Sequence, residues 1–470
     1  MEKDNVLQQK MFSEMHDSEL FRKAESFGQN YLDNVFDRGV FPTEEALNEL
    51  NKFNENLPEK SGDAIETLDF LNTYGAPATM AQIGGRYFGF VHGGIVPVSL
   101  AAKNLATFWD QNASIYQSSP ISSTLESVVQ KWLVDLFSLP SETVVGFVSG
   151  TSMANFSALA AARYRILKNL NWDVTKKGLL NSPKIRVVTC KQAHSSMLQA
   201  ISLAGLGTEN IEWVDVDDEG RILVDQIPEL DNTTILSLQA GNVNSGAFDD
   251  FASICKKAKS EGAWVHVDGA FGLWAGATRQ LKHLTFGYEH ANSWAVDAHK
   301  TLNAPYDSGI LFCNDEEALI AALHINAPYI PNDSERNGMY YAPEMSRRSR
   351  VIELWATLRY LGREGVDELV YSLHKKSLLF AELLNSEEGF QVQNEVVFNQ
   401  VLIQCETDEI TDKVIKEIQK MRECWVGGSI WNGRKVIRIS VCSWATTDED
   451  IHRSVKSFRN VLKKFKNNLL

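Results

Sequence analysis

The apolar positions of this 470-residue chain fall into regimes along its length. Over the first 85 or so residues they recur at helical spacing between polar connections, as in LFRKAESFGQNYLDNVF (20–36), and nothing there alternates with the period of two of a half-buried strand. From about 120 to 315, short and almost wholly apolar runs alternate with helical stretches. The runs are TVVGFVS (143–149), KIRVVTC (184–190), IEWVDV (211–216), TILSLQ (234–239), AWVHVDG (263–269), NSWAVD (292–297) and GILFC (309–313), with helices starting near Ser152, Ser195 and Asp249. Strands without a polar face are buried on both sides, and helices between them imply a mostly parallel sheet in an α/β domain. After SRRSRVIELWATLRYLG (346–362), read as a long helix, a smaller α+β unit follows. Its strands lie in VVFNQVLIQC (396–405) and KVIRISVCS (435–443), and its helices around 410–421 and 447–463. The expected division is an N-terminal helical segment (1–85), a large domain (86–335) and a small C-terminal domain (336–470).

A chain of this length is too long for one core, in keeping with that division. Its formal net charge of −14 argues against nucleic acid as a partner, because a phosphate-binding face is basic. The six cysteines (Cys190, Cys255, Cys313, Cys405, Cys424, Cys442) are scattered and form no CxxC pair, which reads as buried thiols in a reducing compartment. The polar N-terminus has no apolar leader core, and no run is long enough to span a bilayer. The expectation is a soluble cytoplasmic protein acting on a small molecule, with no membrane partner.

Four short stretches carry candidate chemistry, and each has a bland alternative. In VSGTSMANFSALAAAR (148–163) a strand, a Gly turn and a helix start make an anion site from free N–H groups, with hydroxyls from Thr151 and Ser152; by itself this is an ordinary N-cap. In HVDGAFG, Asp268 ends an apolar strand, where a carboxylate needs a cationic partner or serves only as a cap. In DAHK, Lys300 follows another strand; a desolvated lysine is a nucleophile that forms Schiff bases, a solvated one is a loop residue. In QAHSSM, His194 lies between a strand and a helix, as a core histidine also would. Taken together, at successive strand C-termini, they supply a phosphate cradle, a ring to lie on a flat cofactor, a carboxylate for a pyridinium N–H and an amine for an aldehyde. That is the set of groups that holds pyridoxal 5'-phosphate (PLP).

At this point the chain resembles the PLP-dependent amino-acid decarboxylases of the aromatic-L-amino-acid, histidine and glutamate decarboxylase group. The resemblance runs through GRYFGFV, TLESVVQKWLVDLFSLP, VSGTSMANFSALAAAR, QAHSSM, HVDGAFG, DAHK, SRRSRVIELW and VIRISVCS, over roughly four-fifths of the chain. It implies the aspartate-aminotransferase-like fold (fold type I), a homodimer with the site at the subunit interface, and conversion of an L-amino acid to its amine and CO2. Lys300 matches the Schiff-base lysine, His299 the histidine near the phosphate, Asp268 the pyridinium partner, Ala270 the small residue under the ring, His194 the stacking histidine, and Thr151 and Ser152 the phosphate loop. Tyr329, in INAPYIPNDSERNG, falls without a gap on the loop tyrosine that protonates the α-carbon after CO2 has left; otherwise it is an exposed loop residue. Phe90, Val91 and His92 would line the substrate pocket, with Trp109 reaching in from the partner subunit. The aromatic amino-acid enzymes carry a bulkier Phe and a Pro at the positions of Val91 and His92, so a different side chain is expected to be accepted here. Two departures leave cofactor contact open. Asp297 replaces an Asn, and its charge would turn it away from a phosphate; Asn242 stands where a Thr is usual. An aminotransferase or another PLP lyase on this fold is the alternative reading, and a non-catalytic PLP-binding protein a further one.

Overall fold

The computed structural model describes residues 6–324 and 335–467. Its central sheet contains β1 (Val144–Val148), β2 (Arg186–Cys190), β3 (Ile211–Val214), β4 (Thr234–Gln239), β5 (Trp264–Asp268), β6 (Ser293–Asp297) and β7 (Gly309–Cys313), in the order β1–β7–β6–β5–β4–β2–β3. Every apolar run of the middle region is therefore a strand. From β6 through β3 neighbours pair in parallel, while β7 runs antiparallel to both β6 and β1. The reversal follows from the connection. A parallel return needs a crossover of a dozen or more residues, usually a helix, and residues 298–308 contain none. Because β7 lies between them, β1 and β6 again point the same way, and six C-terminal strand ends share one edge.

Successive strand residues enter opposite cores, which is why the runs read as apolar throughout. On one side Val145, Phe147, Val188, Leu236, Val265, Trp294 and Phe312 pack with residues of the helices Pro120–Leu136 and Phe251–Ser260. On the other, Val144, Val148, Val187, Ile235, Ala295 and Leu311 pack under Thr151–Asn169 and Ser195–Leu203. The first of these helices buries Ala154, Ala158, Ala160, Ala161 and Ala162, small side chains that let it lie close on the sheet.

The C-terminal unit has four antiparallel strands, β8 (Gln391–Val392), β9 (Gln400–Gln404), β10 (Gly427–Trp431) and β11 (Arg434–Ser440), in the order β10–β11–β9–β8. The helices Asp408–Met421 and Asp448–Asn467 cover it. The long helical element Val351–Asn385 is not one straight helix. Gly362 has φ 59° and ψ −173°, a left-handed φ that a Cβ disfavours, and it divides the element. Val351 and Leu354 pack on the large core, Leu373 and Phe380 on the small one. Ahead of the sheet, the helices Val6–Met15, Ser18–Val35 and Ala64–Gly75 lead to Arg86, which is buried. Its guanidinium donates to Phe36 O (3.1 Å), Arg38 O (3.1 Å) and Glu423 O (2.8 Å) and pairs with Asp450 (3.1 Å), tying the N-terminal segment to the C-terminal unit.

Candidate active site

The C-terminal edge of the sheet gathers the sequence candidates because each parallel strand ends in a turn there. Thr151 opens the helix after β1, His194 caps the helix after β2, Asp268 is the last residue of β5, and Lys300 lies in the turn leaving β6. Gly309 of β7 allows the first turn its close approach. A Cβ on Gly309 would lie 2.4–2.6 Å from the Gly150 backbone.

Asp297 does not turn away from this cradle. Its Oδ1 accepts the Thr151 N–H at 2.7 Å, so a carboxylate sits on the positive end of the helix. Its Oδ2 lies 3.1 Å from Lys300 Nζ and 3.5 Å from His299 Nε2. The Ser308 N–H donates to His299 Nδ1 at 3.1 Å, which puts the neutral ring's proton on Nε2, facing Asp297. Burial pushes the His299 pKa down, and Tyr306 stacks on the ring at 4.2 Å. The Thr151 hydroxyl is buried with no partner among the described residues, while Ser152 is exposed at the mouth of the turn.

Asp268 is buried. Its Oδ2 accepts from Asn155 Nδ2 at 3.2 Å and its Oδ1 from the Ala270 N–H at 3.3 Å. Burial drives its pKa up; His194, Lys300 and these hydrogen bonds pull against that. His194 is the mirror case, pushed down by burial and held up by Asp268. Its Nδ1 accepts the Ser196 N–H at 3.2 Å, which fixes the ring at the head of its helix. Lys300, Asp297, His299, Thr151, Asp268, Ala270 and His194 are thus linked into one cluster.

The pocket candidates divide. Phe90 and Val91 both have positive φ (50° and 58°), a tight left-handed corner that sends Phe90 outward, 56% exposed, and Val91 into the core, 2% exposed. His92 joins an aromatic cluster with Tyr87 (5.5 Å), Phe90 (5.8 Å) and Tyr306 (5.6 Å). Gly93 presses on the lysine turn, where a Cβ would meet the Lys300 carbonyl oxygen at 2.1 Å. Trp109 ends the helix Pro97–Trp109 and lines a hollow with Gln111 and Ile121, with no link to the cluster among the described residues. Asn242 is buried and caps its own turn, accepting from Asn244 N (2.8 Å) and Ser245 N (3.3 Å). Tyr329 lies outside the described residues.

Sequence reading passed over three residues. Asn303 (φ 59°) holds the lysine turn: its Nδ2 donates to Thr301 O (2.9 Å) and Cys442 O (2.9 Å), and its Oδ1 accepts from Gly94 N (2.7 Å) and Trp444 N (2.9 Å). Asn in a turn after DAHK was the available signal, since Asn tolerates left-handed φ. Tyr306 carried none. Arg438, a charge within the apolar run VIRIS, donates to Val243 O at 3.2 Å; burial pushes its pKa down, and its charge lowers that of His194.

The model of the pyridoxal-dependent decarboxylase conserved domain matches residues 84–405. The chain belongs to the pyridoxal-dependent decarboxylase family. An acidic amino acid decarboxylase of Mus musculus is 26% identical over 330 residues, 67% of this chain and 59% of that protein, so this chain spans less than two thirds of the relative's length. An aromatic-L-amino-acid decarboxylase of Bacillus atrophaeus is 26% identical over 424 residues, 85% and 86% of the two chains. Among solved structures, TDC of Oryza sativa with PLP and tryptamine superposes with a TM-score of 0.86 at 20% identity over 95% and 97% of the chains. Mouse CSAD in apo form gives 0.82 at 20% identity over 93% and 98%. These likenesses show the fold to be that of the family, the type I arrangement expected from the sequence.

The family's cofactor, PLP, fits this donor set. The orphaned Thr151 hydroxyl and the N–H that Asp297 now engages suit a phosphate, the buried Asp268 suits a ring N–H, and Lys300 offers the amine. The neutral histidines also set an acid limit. Burial, with help from His299 and Lys300, lowers the His92 pKa to about 4. The unfolded chain therefore takes up a proton at His92 near its ordinary value of 6.5, and the folded chain only near 4. Its contribution to stability is complete above the unfolded value and is lost as pH falls through that window. In thermal denaturation, His92→Phe is expected to lose less Tm than the wild type between pH 7 and pH 5; equal losses would remove His92 from the account.

Proposed function

We propose that this protein decarboxylates an L-amino acid to the corresponding amine and CO2, using PLP, as a cytoplasmic homodimer. The observation that carries the reading is the buried Asp268 at the end of β5, whose carboxyl is drawn toward its charged form by both His194 and Lys300 at the same edge of the sheet. Bound PLP supplies an aldehyde that captures amines and a protonated ring that accepts the electron pair left by CO2. In this reading Lys300 would offer the amine that holds the cofactor's aldehyde, and Asp268 would keep the proton on the ring nitrogen. His194 covers one ring face, with Ala270 on the other. Thr151, Ser152 and His299 hold the phosphate. Phe90 and His92 shape the substrate side, with Val91 packed behind them in the core and Trp109 of the partner subunit expected there too.

Leu105, Phe108 and Trp109 expose apolar side chains along one helix, and the N-terminal helices add Phe12 and Met15, which supports a second copy covering this region. The six free, buried cysteines fit a reducing cytoplasm.

Incubating the PLP-loaded protein with the protein amino acids, 2,4-diaminobutyrate and cysteine sulfinate tests the reaction. CO2 and an amine in equal amounts are expected from one group of substrates. A 2-oxo acid without CO2 would replace the reading by an aminotransferase. The same assay tests Tyr329 as the proton donor to the α-carbon. Tyr329→Phe removes one oxygen, so substrate should bind as before while amine yield per CO2 falls well below one; wild-type yield and rate would assign the proton to another group, with His194 next.

A further inference from the structure

Behind Asp268 lies a line of buried polar groups that the reaction itself does not use. Trp264, His266 and Asp268 are alternate residues of β5 and share one face of the sheet. Ser293 of β6 stands beside His266 in register, and Asn155 reaches in from the helix Thr151–Asn169. His266, Asn155 and Ser293 are fully buried, on the side of the sheet where Val187, Ile235 and Ala295 pack under the helix Thr151–Asn169. The spacings run without a break. Trp264 Nε1 is 3.0 Å from Ser293 Oγ, and Ser293 Oγ is 2.9 Å from His266 Nδ1. His266 Nε2 is 2.9 Å from Asn155 Oδ1, and Asn155 Nδ2 is 3.2 Å from Asp268 Oδ2.

The chemistry of the two ends gives this line a direction. An indole N–H only donates, so it donates to Ser293, whose own hydroxyl hydrogen is free to go to His266 Nδ1. The His266 proton is then on Nε2 and points at Asn155 Oδ1. At the other end a carboxylate only accepts, so Asn155 must turn its NH2 to Asp268 and its oxygen to His266; the flipped amide would set oxygen against oxygen at Asp268 and its NH2 against the ring nitrogen at His266. Every hydrogen in the line points toward Asp268. Donors so aligned polarise one another in a low-dielectric interior and favour the charged form of the acceptor at the end. Burial keeps His266 neutral, with a pKa of about 3, so the line delivers dipoles to Asp268 and no competing cation.

We propose that Asn155 and His266 are positioning residues that hold Asp268 ionised and aimed at the cofactor's ring nitrogen, with Ser293 and Trp264 fixing the direction of the line. This rests on the assignment of Asp268 to that nitrogen under the proposed function.

The test compares how the cofactor-free full-length protein binds PLP and 1-deaza-PLP, in which a C–H replaces the ring nitrogen. The readout is the ratio of the two dissociation constants, which a general loss of packing leaves unmoved. Asp268→Asn is the control and should collapse the wild-type preference for PLP. If it does not, the assignment of Asp268 fails, whatever the line does. If it does, His266→Phe, which keeps a ring of similar shape but no donor, should reduce the preference by roughly tenfold, the scale of one hydrogen bond to a charged group. His266→Gln, whose amide can still donate to Asn155, should restore most of it. Asn155→Ala, suited to a helix interior, should match His266→Phe, and the double variant should lose no more than either alone, because one line is cut either way. A preference unchanged from wild type in His266→Phe and Asn155→Ala overturns the proposal. So does equal weakening of both compounds, or additive losses in the double variant.

Discussion

Replacing Lys300 by alanine is expected to abolish covalent attachment of the cofactor and all turnover. The amine sits in the turn after β6, 3.1 Å from Asp297 Oδ2, with the Gly93 backbone against its carbonyl and Asn303 bracing the turn. An amine held in this way is aimed by the fold, and a freely diffusing one would lack that advantage in proximity. The rival near this edge is Lys103, whose burial lowers its pKa. Its ammonium donates to the Tyr306 carbonyl at 2.6 Å, however, which commits it to structure. Borohydride reduction of the loaded wild type followed by peptide mapping should place the label on Lys300 and leave Lys300→Ala unlabelled. A label on Lys103 or another lysine would sink the assignment. Asp297 loses its cationic partner in Lys300→Ala but keeps the Thr151 N–H, so the variant should fold and still bind PLP without a covalent bond.

Asp268→Asn is expected to bind PLP more weakly and to lower turnover by about two to three orders of magnitude, the range seen when a preorganised charge-stabilising group is removed. A neutral amide cannot hold the ring proton as a carboxylate does. Burial alone works against the charged form, and four influences oppose it: His194, Lys300, the Asn155 amide and the Ala270 N–H. A ring cation adds to the same side. The substitution also removes the acid that holds up the His194 pKa, so that histidine becomes harder still to protonate. Turnover and PLP affinity are measured on the same preparation. Turnover near that of the wild type would contradict the role.

Much of this site was legible along the chain because its parts are local. A strand end, a small turn and a helix start are read from a few neighbouring residues, and 143–152, 263–270 and 292–300 each announce one. The lysine turn was legible for the same reason. Asp297 shows the limit. Its charge beside a phosphate loop argued for pointing away, but Thr151 N–H, Lys300 and His299 converge on it from two elements, and their combined donors outweigh that argument. Val91 likewise stood in a stretch rich in aromatics and glycines, and only the left-handed corner at 90–91 decided that it faces the core while Phe90 faces out.

The sequence by itself determined the elements and their order. Apolar runs bounded by turn residues must bury both faces, and helical spacing between them supplies the covering layers, so the α/β sheet and its reactive edge follow from hydrophobic patterning. What tertiary structure alone decided is whatever depends on residues distant in the chain: β7 entering antiparallel between β1 and β6, the break of the 351–385 helix over two cores, and the bonds of Asn303 to Gly94, Cys442 and Trp444. The line from Trp264 to Asp268 belongs there too. Alternation places Trp264, His266 and Asp268 on one face of β5, but Asn155 is 111 residues from His266, and only the packing of its helix under the sheet brings an amide between a neutral histidine and a carboxylate. A hydrogen bond requires two groups within about 3 Å at the right angle, and that distance is set by the assembled layers and not by the order of residues.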